Sequence, residues 1–175
     1  HTGRSQSFDY DKLGRLVQEA DAKAGTSKTT QYTYDRFSNR SSMTVTGSEQ
    51  TYTSYTYDGN NRLTQTSKTI GTEEEICDYS YDSNGNLIAK SKGTYSPANG
   101  GAEELELSVF DQGSQTADTG IENANTVLYS YNLRNQLTGI SADNGLNAGY
   151  AYDVTGRRVG KTVNGSSTSY LWGGD

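Results

Sequence analysis

A nine-residue phrase returns along this chain at nearly constant spacing, and such a repeat narrows the possible folds more than any other feature. One copy is Tyr55-Thr56-Tyr57-Asp58-Gly59-Asn60-Asn61-Arg62-Leu63. A second runs from Tyr79 through Asp82 and Gly85 to Leu87, and a third from Phe8 through Asp11 and Gly14 to Leu16. Looser copies are Tyr32 to Arg40, Tyr129 to Leu137 and Tyr150 to Arg158. The second aromatic falls at 10, 34, 57, 81, 131 and 152, a period in the low twenties with one interval of double length. Tyr170 and Trp172 open a seventh, truncated copy.

Side chains alternate along a strand, so two aromatics separated by one residue share a face. The residue between them is Asp9, Thr33, Thr56, Ser80, Ser130 or Ala151, as a solvent-facing position allows. The next residue is Asp in five copies and Asn132 in the other. A short carboxylate or amide there accepts a backbone hydrogen bond from two residues on and so starts a turn. Three residues later stand Gly14, Ser38, Asn61, Gly85, Asn135 and Gly156. Five of these six are Gly or Asn, which tolerate positive φ most easily. A polar residue follows, and then Leu16, Leu63, Leu87 or Leu137 begins a second strand. Arg40 and Arg158 depart from that last rule. Each copy therefore reads as a β-hairpin.

The fold class expected is all-β: tandem hairpins forming a curved or spiralling antiparallel sheet. Residues 1–175 read as a single segment, with units starting near 8, 32, 55, 79, 129 and 150. Residues 88–128 are an irregular insertion or a worn copy, with Phe110-Asp111 and Gly113 as its remnant and residues 96–101 as its tip. Residues 103–110 alternate like a strand, and 111–125 read as loop. Residues 1–7 read as a ragged end, 21–30 as a polar connection, and 47–50 and 71–75 as turns. Only 19–23 has helical propensity, in too short a stretch to form a helix.

Apolar residues make up 31% of the chain, below the ~45–50% of ordinary globular domains. Disordered chains are poor in aromatics, whereas this one has 14 Tyr, 3 Phe and 1 Trp. The seven spaced pairs hold most of them, so they serve packing, in a core that is thin and partly wet. Net charge is −6 and no block of Lys or Arg stands out, which argues against a nucleic-acid partner. No apolar run approaches the ~18 residues of a membrane-spanning helix. The chain opens at His1 without Met and stops partway through a unit, so a piece of a longer protein is expected.

The sequence offers little catalytic chemistry. The one histidine stands at the terminus, which makes a histidine triad or histidine metal site improbable. No phosphate-binding or dinucleotide-binding motif occurs. Cys77 has no partner for an internal disulfide and reads as a small residue at the start of a strand. Glu73, Glu74 and Glu75 read as solvated. Asp21, Asp118, Glu122 and Asp143 lie outside the turn positions, with nothing linking them. No enzyme, no cofactor and no metal site is expected. Tyr52 and Tyr95 lie outside the pairs and are the candidate surface contacts, for sugar rings above all. Phe37 stands where a turn residue belongs.

The phrase Tyr-x-Tyr-Asp-x-x-Gly-Arg/Asn-Leu resembles the YD repeat of the Rhs family, which includes bacterial Rhs toxins, Tc toxin C components, wall-associated repeat proteins and teneurins. The resemblance covers Phe8 to Trp172, and the closing Tyr-Leu-Trp-Gly-Gly-Asp is similar to the last repeats before the core-associated region in bacterial members. It implies a β-sheet that is part of a larger hollow shell, secreted or at the cell surface. In toxin members the shell encloses a C-terminal toxin domain. The partners implied are the remainder of that shell and the enclosed domain, or a glycan or cell-surface partner in an adhesive member. The self-cleaving aspartates of the family lie in a region this sequence lacks, so no catalytic residue carries over. Free sheet edges imply self-association of the isolated segment.

Overall fold

The structure, a computed structural model, describes residues 3–95 and 121–172, except the side chains of 95 and 121–124. Every regular element among them is a strand. In chain order these are β1 (Arg4–Tyr10), β2 (Leu16–Lys23), β3 (Thr26–Tyr34), β4 (Arg40–Thr46), β5 (Thr51–Tyr57), β6 (Leu63–Ile70) and β7 (Glu73–Tyr81). They continue with β8 (Leu87–Tyr95), β9 (Ile121–Tyr131), β10 (Leu137–Ala142), β11 (Asn147–Tyr152), β12 (Arg158–Val163) and β13 (Ser166–Ser169). The strands are antiparallel and follow one another in the sheet as they do in the sequence. The chain forms two compact units. The first holds β1 to β6 and the start of β7, up to Ile76. The second takes β7 from Cys77, β8 up to Lys92, and the strands from Ala124 on.

In both units the hairpins obey one register rule. The second aromatic faces the residue that opens the returning strand: Tyr10 faces Leu16, Tyr34 faces Arg40, Tyr57 faces Leu63, Tyr131 faces Leu137 and Tyr152 faces Arg158. One residue later the register slips, so Val17, Ser41, Thr64, Thr138 and Val159 have no opposite number. This β-bulge sharpens the local twist next to the turn. The residues between the paired aromatics are all exposed, as expected, and most paired tyrosines are half-buried. Phe8 and Tyr10, on β1, are 48% and 62% exposed.

The strands extend beyond what the phrase predicts. Residues 4–7 belong to β1 rather than to a ragged end, and 21–30 is a strand pair around a tight turn at Gly25, whose φ is +81°. β7 begins at Glu73, so the turn expected over 71–75 covers only its first two residues. Residues 121–125, expected as loop, open β9. These segments carry polar residues on both faces and so lack the alternation that marks a half-buried strand. Arg4 and Asp21, joined by two hydrogen bonds, sit on the aromatic face of β1 and β2. The expected tip at 96–101, the strand at 103–110, and Phe110, Asp111, Gly113 and Asp118 lie outside the described residues.

The most buried positions share one place in the repeat that the sequence reading missed. Thr30, Thr53, Cys77 and Ala148 are 3%, 5%, 6% and 5% exposed, and each stands four residues before the second aromatic of its unit. Cys77 is thus buried within β7, not at its start. The Oγ1 of Thr53 is buried without a hydrogen-bond partner. Thr53→Val keeps the shape and removes an unpaired polar atom, so it is expected to raise the unfolding free energy by about 1 kcal/mol. Urea titration checks this; a loss of stability would contradict it.

Candidate functional site

The recurrent chemistry of this chain lies in its turns. Asp11 Oδ1 accepts from the backbone N–H groups of Leu13 at 2.9 Å and Arg15 at 3.0 Å, while Oδ2 accepts from Arg15 Nε at 2.7 Å. Asp35, Asp58, Asp82 and Asp153 repeat the pattern with Phe37 and Asn39, Asn60 and Arg62, Asn84 and Asn86, and Thr155 and Arg157. The backbone closes the loop from the other side: Asp11 N–H donates to Arg15 C=O, and Gly14 N–H donates to Asp11 C=O. Such a loop needs a left-handed residue at its fourth position. All six occupants comply, including Ser38 at φ +67°.

The polar residue after it is chosen to match the cap, which sequence reading registered only as polar. Where the cap is Asp, the partner is a donor, Arg or Asn. Where it is Asn132, the partner is Gln136, whose Oε1 accepts from Asn132 Nδ2 at 2.8 Å. Asn132 therefore does not break the turn; its polarity is inverted and complemented. The same partner residues reach the neighbouring turn. Arg15 Nη1 donates to Ser38 Oγ at 3.2 Å, Asn39 Nδ2 to Asn61 Oδ1 at 2.9 Å, Asn86 Nδ2 to Asn135 Oδ1 at 3.0 Å and Gln136 Nε2 to Gly156 O at 3.1 Å.

A second set of fastenings lies one step inward. Tyr34 Oη donates to Leu16 O at 2.7 Å, Tyr57 Oη to Arg40 O at 3.0 Å and Tyr152 Oη to Leu137 O at 2.8 Å. Each joins the second aromatic of a unit to the first residue of the returning strand of the unit before it. Trp172 occupies the same place in the truncated copy: its Nε1 donates to Arg158 O at 2.9 Å. Phenylalanine fills none of these positions, because the ring must carry a donor.

Arg40 and Arg158, at the leucine position, leave the turns intact. Arg40 lies 4.6 Å from the Tyr32 ring centre and 5.8 Å from that of Tyr55; Arg158 lies 5.6 Å from Tyr150 and 5.1 Å from Tyr170. Both guanidiniums thus contact the first aromatic of their own unit and of the next. The flat cation replaces leucine by stacking on the ring faces.

The turn bonds hold the capping carboxylates below their ordinary range. For Asp11 and Asp58 the leading cause is the backbone N–H of the partner residue; for Asp82 it is the Asn86 amide and for Asp153 the Thr155 hydroxyl. At Asp35 burial pulls upward, but Asn39 and the turn N–H groups prevail. A lowered folded value means that the stabilisation is complete above the unfolded carboxylate range near ~4 and is lost as pH falls through the folded values. The thermal midpoint is therefore expected to stay level at neutral pH and to fall steadily in acid below about pH 4. A midpoint unchanged in strong acid would contradict this role.

Among the described residues no group of His, Cys, Asp and Glu is placed to hold a metal. Asp21 is tied to Arg4, and Asp143 accepts from Thr126 N–H at 2.8 Å. Glu73 is exposed as expected. Glu74 is instead half-buried and accepts from Ser67 Oγ. Tyr52 projects from β5 on the face opposite the aromatic pairs, 47% exposed between its cross-strand neighbours Thr44 and Thr69. The backbone of Tyr95 ends β8; its side chain is outside the described residues.

The family model for the teneurin YD-shell matches residues 38–173, and that for the RHS repeat matches residues 10–50. Among solved structures, a crystal structure of TcdB2-TccC3-Cdc42 is 12% identical with a TM-score of 0.40, covering 91% of this chain and 10% of that one. A Photorhabdus luminescens Tc holotoxin pore with a substituted TccC3 is 13% identical with a TM-score of 0.39, at the same coverage. This chain thus spans about a tenth of the solved chains it matches. No curated protein matches it.

Proposed function

The chain belongs to the teneurin YD-shell family, and on that premise we propose that it is wall material. In this reading it is a scaffold segment of a secreted bacterial protein whose larger β-shell encloses a toxin or effector domain. The observation that carries this reading is where the recurrent polar side chains go. Asp caps, their Arg, Asn or Gln partners and the hydroxyls of Tyr34, Tyr57 and Tyr152 fasten one hairpin to itself or to its neighbour. A sheet so fastened extends by adding hairpins. Its partners are the rest of the shell and the enclosed domain. Alone, with β1 and β13 as free edges, the chain self-associates.

The test is the size and protease map of the native protein that carries this segment. The expected result is a polypeptide several times the 19.0 kDa of this chain, with a smaller fragment protected inside a resistant shell. A free-standing product of this chain's own size, fully digested, would overturn the proposal.

A second reading, a glycan-binding or adhesive surface, draws on the exposure of Tyr52 on a face otherwise rich in Ser and Thr. Under it, soluble glycans bind the chain, and Tyr52→Ala or Tyr95→Ala abolishes binding without changing the far-ultraviolet circular dichroism spectrum. Binding indifferent to both substitutions would exclude it.

A further inference from the structure

The tips of four Asp or Asn turns carry an exposed apolar side chain, where a tight turn ordinarily carries a polar one. Leu13 is 74% exposed and Phe37 57%; Leu133 and Val154 are fully or almost fully exposed, at 105% and 87%. Turn chemistry does not require them, since the cap bonds use backbone N–H groups and leave these side chains projecting. Each pair belongs to adjacent turns within one compact unit. Leu13 and Phe37 are brought together by the reach of Arg15 to Ser38, and Leu133 and Val154 by the 2.7 Å bond from Arg134 Nη1 to Val154 O.

A cation stands beside the apolar tip in three of the four turns: Lys12 before Leu13, Arg36 before Phe37 and Arg134 after Leu133. Arg36 lies over the Phe37 ring at 4.5 Å, so that apolar and positive surface project as one group. Cations outnumber carboxylates in each pair of turns, in a chain whose net charge is −6. The three carboxylates present, Asp11, Asp35 and Asp153, are held inside the turns by their cap bonds. The described turns at the other end of the hairpins pair no apolar tip with a cation: Gly25, Ser48, Glu49, Gly71 and Gly165 occupy four of them, and Leu146, 36% exposed, stands in the fifth beside Asp143 with no Lys or Arg in the turn.

We propose that in each compact unit the paired turn tips form an interfacial patch that rests on an anionic lipid bilayer, with the apolar side chains entering the headgroup layer and the cations lying among the phosphates. A protein partner would demand complementary pockets for side chains that protrude singly. A bilayer interface deforms around them and rewards the combination of apolar area and positive charge. The proposal is independent of whether the shell encloses a cargo.

Co-sedimentation of the full chain with vesicles tests it. Binding is expected to vesicles of phosphatidylcholine containing a third phosphatidylglycerol, weakly or not at all to phosphatidylcholine alone, and to fall as salt is raised. Inorganic phosphate at comparable concentration is not expected to compete. Leu13→Ser with Phe37→Ser should weaken partitioning by about tenfold, and Lys12→Gln with Arg36→Gln by a similar factor. Leu133→Ser with Val154→Ser should weaken what remains. All these positions are exposed, so an unchanged circular dichroism spectrum separates lost binding from lost fold. No binding to anionic vesicles, equal binding to neutral ones, or binding unaffected by these substitutions would overturn the proposal. So would a self-associated state that the tip substitutions dissolve while vesicle binding is absent, which would assign the tips to a contact between copies.

Discussion

Replacing Tyr34 with alanine is expected to destabilise the chain by about 3 kcal/mol, within the range of large aromatic truncations. Three contributions disappear together. The ring covers the aromatic face next to the turn, the Arg15 guanidinium lies 4.7 Å from its centre, and its hydroxyl donates to Leu16 O at 2.7 Å. The matching change at Tyr10 is the control. Tyr10 holds the same place in the first unit but is 62% exposed, and no hydroxyl partner is described for it. Tyr10→Ala is therefore expected to cost less than about 1 kcal/mol. Urea unfolding of the two variants measures the difference. Equal costs would mean that the second aromatic contributes through strand propensity alone and not through its contacts with the preceding hairpin.

Ile76→Ala should cost a similar amount, about 3 kcal/mol. Ile76 is 6% exposed and is the one large aliphatic side chain among the buried residues described. Ile76 stands on the face of β7 opposite Tyr79 and Tyr81, where its neighbours along the strand are the polar Glu74 and Asp78, so few apolar side chains are at hand to fill the vacated volume. A cost below about 1 kcal/mol would show that the strand around Cys77 relaxes into the gap.

The hairpin, its turn and the left-handed position were legible because each follows from a local rule. An aromatic pair at strand spacing, an Asx residue and a Gly or Asn three places later are all contained in one stretch of nine residues. Even the departures obeyed the rule, since Ser38 takes the positive φ that its place requires. What escaped was relational. The match between Asn132 and Gln136 is visible only once the Nδ2 of one faces the Oε1 of the other. Thr30, Thr53, Cys77 and Ala148 look like unrelated residues until their burial marks the position four residues before the second aromatic. Arg40 and Arg158 read as faults at a leucine position and proved to be stacked substitutes, because a guanidinium between rings packs as an apolar plate does. The polar strands at 4–7, 21–30 and 73–75 were missed because charged pairs such as Arg4 and Asp21 occupy the aromatic face and erase the alternation.

The central claim is that, within a compact unit, a side-chain donor on the second aromatic fastens a hairpin to the one before it, as at Tyr34, Tyr57, Tyr152 and Trp172. Tyr34→Phe and Tyr152→Phe, one in each compact unit, remove the hydroxyl and leave the ring. Urea unfolding of these two variants is the direct measurement. The account predicts that each lowers the unfolding free energy by about 1 kcal/mol with an unchanged denaturant slope. Two variants as stable as the parent would mean that the hydroxyl bonds are incidental and that backbone pairing alone holds the hairpins together.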